Sequence, residues 1–300
     1  MNIQTLSIVV PTPRCVNNCK FCVSKMHGND YPLIDKSPFA QRKNMEKRLK
    51  YAVIHGIDTI VLTGVGEPLQ NIKYLEMLSD VLNLLNNPIP RIEIQTSGIL
   101  LTDENLTFLK DLGVTTISLS ISDLFDDVKN MDVIGTPNKL YFKLDDISKR
   151  IYNFGFNIRL SLNMTSYNYT DIDDDKDDSI NELTKILDTI FLRCKELYSK
   201  QITFRKMYSS GGNAPEDIWV DNNKLSEEYY FYLNEYIKKN GHKLYRLPFG
   251  GVVYSVNGIS TVIDDDCMNT EYTEDKLKYL ILREDMKLYM DWSDTGSLIF

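Results

Sequence analysis

LSIVVPTPRCVNNCKFC, residues 6–22, joins a β-branched strand directly to a loop holding three cysteines. Runs of the same texture as LSIVV (6–10) recur downstream. They are TIVLTG (59–64), RIEIQTSG (91–98), TTISLSIS (115–122), NIRLSLN (157–163) and QITFRKM (201–207), each bounded by turn residues. Helical segments lie between them. In IKYLEMLSDVLNLL (72–85), Ile72, Leu75, Leu78, Leu82 and Leu85 recur at three and four and share one face. Further helices are read over about 41–55, 103–112, 144–153 and 179–199. Strands separated by single helices pair in parallel through right-handed crossovers. Six such units predict an α/β fold, a partial (β/α)6 TIM-type barrel two units short of a complete one.

After residue 240 the texture changes. LYRLP, GVVYSVNGISTVID, YLILRED and KLYMDW read as short antiparallel strands, with Asn257-Gly258 as a hairpin turn. The chain therefore divides into a barrel, 1–240, and a β-rich extension, 241–300, expected to cover one barrel opening. Tyr254, Tyr289 and Trp292 in the extension are expected to pack on the barrel. The acidic run DIDDDKDD (171–178) lacks the glycine and terminal glutamate of a calcium loop and reads as a solvated cap of the helix after it. The loop YSSGGNAPED (208–217) reads as a substrate lid or a plain connection.

The chain's 34 basic and 42 acidic residues give a formal charge of −8. Such a surface does not attract nucleic acid or anionic lipid on its own, although a local basic groove can still exist. The first residues lack the pattern of a signal peptide, and no apolar run approaches the roughly 20 residues that span a bilayer. A cytoplasmic protein without a membrane partner is expected. In that reducing setting a cysteine cluster binds metal or reacts rather than forming a structural disulfide.

Cys15, Cys19 and Cys22 form C-x3-C-x2-C. Thiolates so close together converge on a soft metal centre. Zinc is one reading, with His27 completing a Cys3His set. An iron–sulfur cluster is the other; with three protein thiolates it leaves one iron open. With Phe21 just before the last cysteine, the motif resembles the signature of the radical S-adenosylmethionine (SAM) superfamily, which places it in the loop after the first strand of a partial barrel. The resemblance implies a 4Fe-4S cluster on Cys15, Cys19 and Cys22, with SAM on the open iron. TGVGEP (63–68) resembles the family's glycine-glycine-glutamate motif, with Val65 separating the two glycines. Gly64, Gly66 and Glu67 are then expected at the amino end of SAM. Thr96 and Ser97 follow from the polar end of the third strand. Ser118, Ser120 and Ser122 share a face of the fourth, and Ser120 is the expected SAM contact there. Asn163, at the end of the fifth, is expected near the ribose. Arg205 in the sixth strand is read either as a carboxylate ligand or as one half of an ion pair.

The resemblance implies an enzyme that reductively cleaves SAM to a 5'-deoxyadenosyl radical and abstracts hydrogen from a small-molecule or peptide substrate. Its electron would come from a low-potential donor such as flavodoxin or ferredoxin. The alternatives are modification of a macromolecule, RNA or a glycyl-radical partner enzyme, and a non-catalytic zinc-binding barrel. Cys194 falls in register with Leu183, Leu187, Ile190 and Leu197 and reads as a core residue. Cys267 is the candidate for a catalytic role as hydrogen donor or methyl carrier.

Overall fold

A computed structural model describes residues 2–27, 37–166, 179–247, 251–264 and 276–300. Cys267 and the run 171–178 lie outside them. Six strands follow the predicted order: β1 (Asn2–Val10), β2 (Thr59–Gly64), β3 (Arg91–Thr96), β4 (Thr116–Ile121), β5 (Asn157–Asn163) and β6 (Gln201–Arg205). They lie side by side, all parallel. The connections carry α1 (Val23–His27), α2 (Pro38–Ile54), α3 (Ile72–Leu84), α4 (Asp103–Asp111), α5 (Asp127–Ile134), α6 (Leu144–Asn153) and α7 (Ser179–Glu196). Two more helices, α8 (Pro215–Asn223) and α9 (Glu227–Asn240), follow β6.

The fold is a partial (β/α)6 barrel with a C-terminal β-rich part. Its strands alternate sharply. Leu6, Ile8, Ile60, Leu62, Ile94, Ile117, Leu119, Leu160 and Phe204 are fully buried in the main core cluster with the helices. The opposite parity, including Thr5, Ser7, Thr63, Glu93, Gln95, Ser118, Arg159 and Ser161, lines a cavity inside the barrel. A parallel sheet buried on both faces normally reads as continuous aliphatic runs. Here the inner face is polar, so the barrel encloses a site rather than a second core.

Caps set the helix ends. Asn71 accepts the amide of Tyr74 at the start of α3 and donates to the Pro11 carbonyl at 2.6 Å, tying that helix to the end of β1. Asp126 accepts two amides at the start of α5, and Gly135, at φ 65°, ends that helix in the left-handed region. Helices α1, α5, α8 and α9 go beyond the expected set. In α9 the tyrosine-rich EEYYFYLNEYIKKN obscures helical spacing, although Ser226 caps it and Tyr229, Tyr230, Leu233, Tyr236 and Ile237 form its buried face.

The tail corrects one expectation. Strands β7 (Gly241–Arg246), β8 (Val252–Val256) and β9 (Ile259–Asp264) are antiparallel to one another, and Asn257-Gly258 turns with positive φ at both residues. However, β9 pairs in parallel with β6. Strand β10 (Lys276–Leu282) pairs in parallel with β1, and β11 (Leu288–Tyr289) runs antiparallel to β10. Tail strands thus extend both edges of one 11-stranded sheet. Among the described residues no helix is long and apolar enough to cross a membrane.

Candidate active site

The cysteine loop leaves β1 at Val10 and is held from three sides. Gln70 accepts the Val16 amide at 2.8 Å and donates to the Arg14 carbonyl at 3.0 Å. The amides of Asn18 and Lys20 donate to the carbonyls of Gly135 and Val133, at 3.1 and 3.0 Å. A Cβ on Gly135 would strike the Asn18 backbone, so this crossing requires glycine. Between the first two cysteines, buried Asn17 donates to Ser97 Oγ at 2.9 Å and accepts from Thr136 at 3.2 Å.

TGVGEP packs directly beneath this loop. A Cβ on Gly66 would fall on the Thr12 hydroxyl and 3.3 Å from the Cys15 Cα. Glu67 is fully buried, and its carboxylate accepts from the Thr96 hydroxyl at 2.7 Å, the Ser97 hydroxyl at 2.7 Å and the Ser97 amide at 3.0 Å. Burial still pushes its pKa up against those bonds. Thr136, Asn17, Ser97, Glu67 and Thr96 therefore form one continuous chain joining the cysteine loop to the ends of β2 and β3.

All the candidate cofactor residues read from the sequence meet around one cavity of about 240 Å³. Its lining includes Cys15, Cys19, Phe21, Cys22, Gly64, Gly66, Glu67, Thr96, Ser97, Ser120 and Asn163. Asn163 donates to the Ser120 and Ser122 hydroxyls, both at 3.2 Å, which joins the ends of β4 and β5. Phe21 also faces Trp219 of α8, with ring centroids 6.4 Å apart.

Burial raises the pKa of Cys15, and it raises Cys19 further with help from the charges of Cys22 and Cys15. Among the described residues no three His, Cys, Asp or Glu side chains are placed to hold a single metal ion. Cys15, Cys19 and Cys22 all line that cavity, and three thiolates suit a multi-iron cluster in which each takes a different iron. His27 does not complete a tetrahedron: it sits in α1, and its Nε2 shares a 2.9 Å hydrogen bond with the Tyr208 hydroxyl.

Asn17, Lys206, Met207 and Tyr208 add to the wall of this cavity, the last three just beyond β6. Their signal is position alone, at or just past strand ends where β/α sites collect. The loop 208–217 is tied to buried Asp217, which accepts from Ser209 at 3.1 Å and from the Ser210 amide at 2.7 Å. Cys194 is fully buried in the core, and burial pushes its thiol up to about 12.

Comparison with known proteins gives consistent matches. The family model of the Radical SAM superfamily matches residues 9–187. A probable GTP 3',8-cyclase of Methanococcus aeolicus is 33% identical over 122 residues, covering 41% of this chain and 38% of that protein. An uncharacterised protein of Methanocaldococcus jannaschii is 27% identical over 175 residues, covering 53% and 52%. Among solved structures, Streptococcus suis SuiB bound to the precursor peptide SuiA superposes with a TM-score of 0.60 at 16% identity, covering 96% of this chain and 59% of SuiB. The anSMEcpe protein with bound AdoMet and Cp18Cys peptide gives 0.60 at 13% identity, covering 98% of this chain and 75% of its own. The matches to the curated relatives span about half of their length or less.

Proposed function

We propose, because the chain belongs to the radical SAM superfamily, that it is an enzyme holding a 4Fe-4S cluster on Cys15, Cys19 and Cys22 and binding SAM in the adjoining cavity. It would abstract hydrogen from a small-molecule or peptide substrate in the barrel. The bound cluster and SAM supply the 5'-deoxyadenosyl radical. The remaining tasks fall to the chain. Gly64 and Gly66 let backbone approach the ammonium end of SAM, Glu67 anchors that loop, and Ser120 and Asn163 face the carboxylate and ribose. Phe21 walls the cavity on the α8 side.

The observation that carries this reading is convergence. Residues from five separate strand ends and the cysteine loop line one cavity, and that cavity shares Gln95 and Arg205 with the barrel interior. A radical formed there would meet the substrate without crossing solvent. In this reading residues 1–240 form the catalytic barrel. Residues 241–300 close in the substrate, supported by Arg246, Tyr254 and Trp292 on the interior wall. A low-potential donor such as flavodoxin or ferredoxin would deliver the electron. The peptide bound by SuiB and the name of the Methanococcus relative support a peptide or small molecule as substrate class.

Anaerobic reconstitution with iron and sulfide, followed by dithionite and SAM, tests this function. The expected products are methionine and 5'-deoxyadenosine, and Cys19→Ala should lose both iron and cleavage. A wild-type protein that assembles the cluster yet leaves SAM intact would overturn the reading.

A further inference from the structure

The barrel interior is a cavity of about 1280 Å³, larger than the roughly 300–1,000 Å³ of most ligand sites. Its charge runs against that of the molecule. The chain carries −8, yet seven arginine and lysine side chains line this cavity against two carboxylates, Glu93 and Asp264, among the described residues. A cation-lined cavity concentrates anions even in an acidic protein.

The arginines are not equally committed. Arg159 is held in place: its Nε donates to Gln201 Oε1 at 3.0 Å and its Nη1 meets Glu93 Oε2 at 2.7 Å. Arg205 is the last residue of β6, beside Asn163 in register. Its Nε is buried without a hydrogen bond among the described residues, and its ion pair to Asp264 is long at 3.5 Å. It also stands on the boundary shared by the cysteine-lined cavity and the barrel interior. A different part of the wall is formed by Val9, Val65, Tyr279 and Trp292, which pack with Ile281 and Tyr289 in a separate apolar cluster, with Lys278 and Arg283 over the Tyr279 and Trp292 rings.

From this arrangement we infer that the barrel takes an anionic organic substrate whose carboxylate or phosphate is gripped by Arg205. The apolar body of that substrate lies along the Tyr279 and Trp292 wall. A guanidinium fork at the junction fixes the charged end and so sets which carbon faces the cysteine-lined cavity. The substrate role rests on the proposed function; the anion site itself does not.

The test titrates wild-type protein, apo and reconstituted, with pyrophosphate and separately with citrate by calorimetry, which distinguishes phosphate from carboxylate. At least one anion should bind, and Arg205→Gln should weaken it by about tenfold or more, the scale of a lost charged hydrogen bond. Arg205→Lys should bind at intermediate strength, which guards against a Gln variant that does not fold. Arg42→Gln, outside both cavities and paired with Asp80 on the surface, should bind as wild type does. SAM affinity of the reconstituted Arg205→Gln protein should be unchanged. The inference is overturned if neither anion binds, if Arg205→Gln binds like wild type, or if that variant loses SAM instead, which would assign Arg205 to the SAM carboxylate. Wild-type cleavage of SAM is scored separately, so an anion site without cleavage sinks only the catalytic reading.

Discussion

At the scale of single residues, the site depends on what cannot be larger and on what is already bonded. Gly66 lies where the TGVGEP loop passes under Thr12 and Cys15, so any side chain must push the cysteine loop away. Gly66→Ala is expected to cost about 1–3 kcal/mol, as overpacking does, and to lower the iron taken up on reconstitution. Thermal melts and iron assays on the purified variant would check this; normal iron uptake with an unchanged melt would refute it. The motif residues were legible because their chemistry is local: three thiols, two glycines and an acid at short spacing. Asn17 was not legible, although it lies inside the motif. Its two bonds reach Ser97 and Thr136, 80 and 119 residues away, and nothing in its neighbours in sequence points there.

Between elements, the contact of α3 with the end of β10 contains a buried carboxylate. Glu284 is 3% exposed, and neither of its carboxylate oxygens has a hydrogen bond among the described residues. Burial pushes its pKa up, and its charge adds to the burial that raises the Tyr74 hydroxyl on α3. The sign of the pH effect follows from linkage. An acid whose folded pKa exceeds its unfolded one costs nothing below the ordinary carboxylate range, near pH 4.3. The cost appears as pH rises toward the folded value and is complete above it. Glu284→Gln is therefore expected to be more stable than wild type at neutral pH, with the advantage shrinking as pH falls toward that range. Paired melts across this pH range would show it, and a constant difference would sink the argument. Element by element, the aliphatic strands and the face of α3 could be read because their periodicity is set by local geometry. Helices α5, α8 and α9 escaped because short length or aromatic content hides the 3.6-residue period, leaving only caps such as Asp126 and Ser226.

Across the whole molecule, the penultimate strand, β10, pairs with the first. Leu277, Leu280 and Leu282 of β10 are fully buried, and β10 covers the edge of the strand that leads into the cysteine loop. Leu280→Ala is expected to cost about 2–5 kcal/mol and to destabilise barrel and tail together. Urea unfolding should keep one transition, coincident by circular dichroism and by the fluorescence of Trp219 and Trp292, which stand in the two regions; separate transitions would show that the tail folds apart. The sequence by itself determined the order of the six barrel strands, the helices α2, α3, α4, α6 and α7 between them and the cysteine loop at the end of β1, since each is written in residues close together along the chain. Only the tertiary structure decided that β9 and β10 join the sheet in parallel at opposite edges and that an acidic chain lines its interior with cations. Strand pairing depends on burial summed over distant segments, and the field in a cavity depends on which charges face it, and neither is a property of any local stretch.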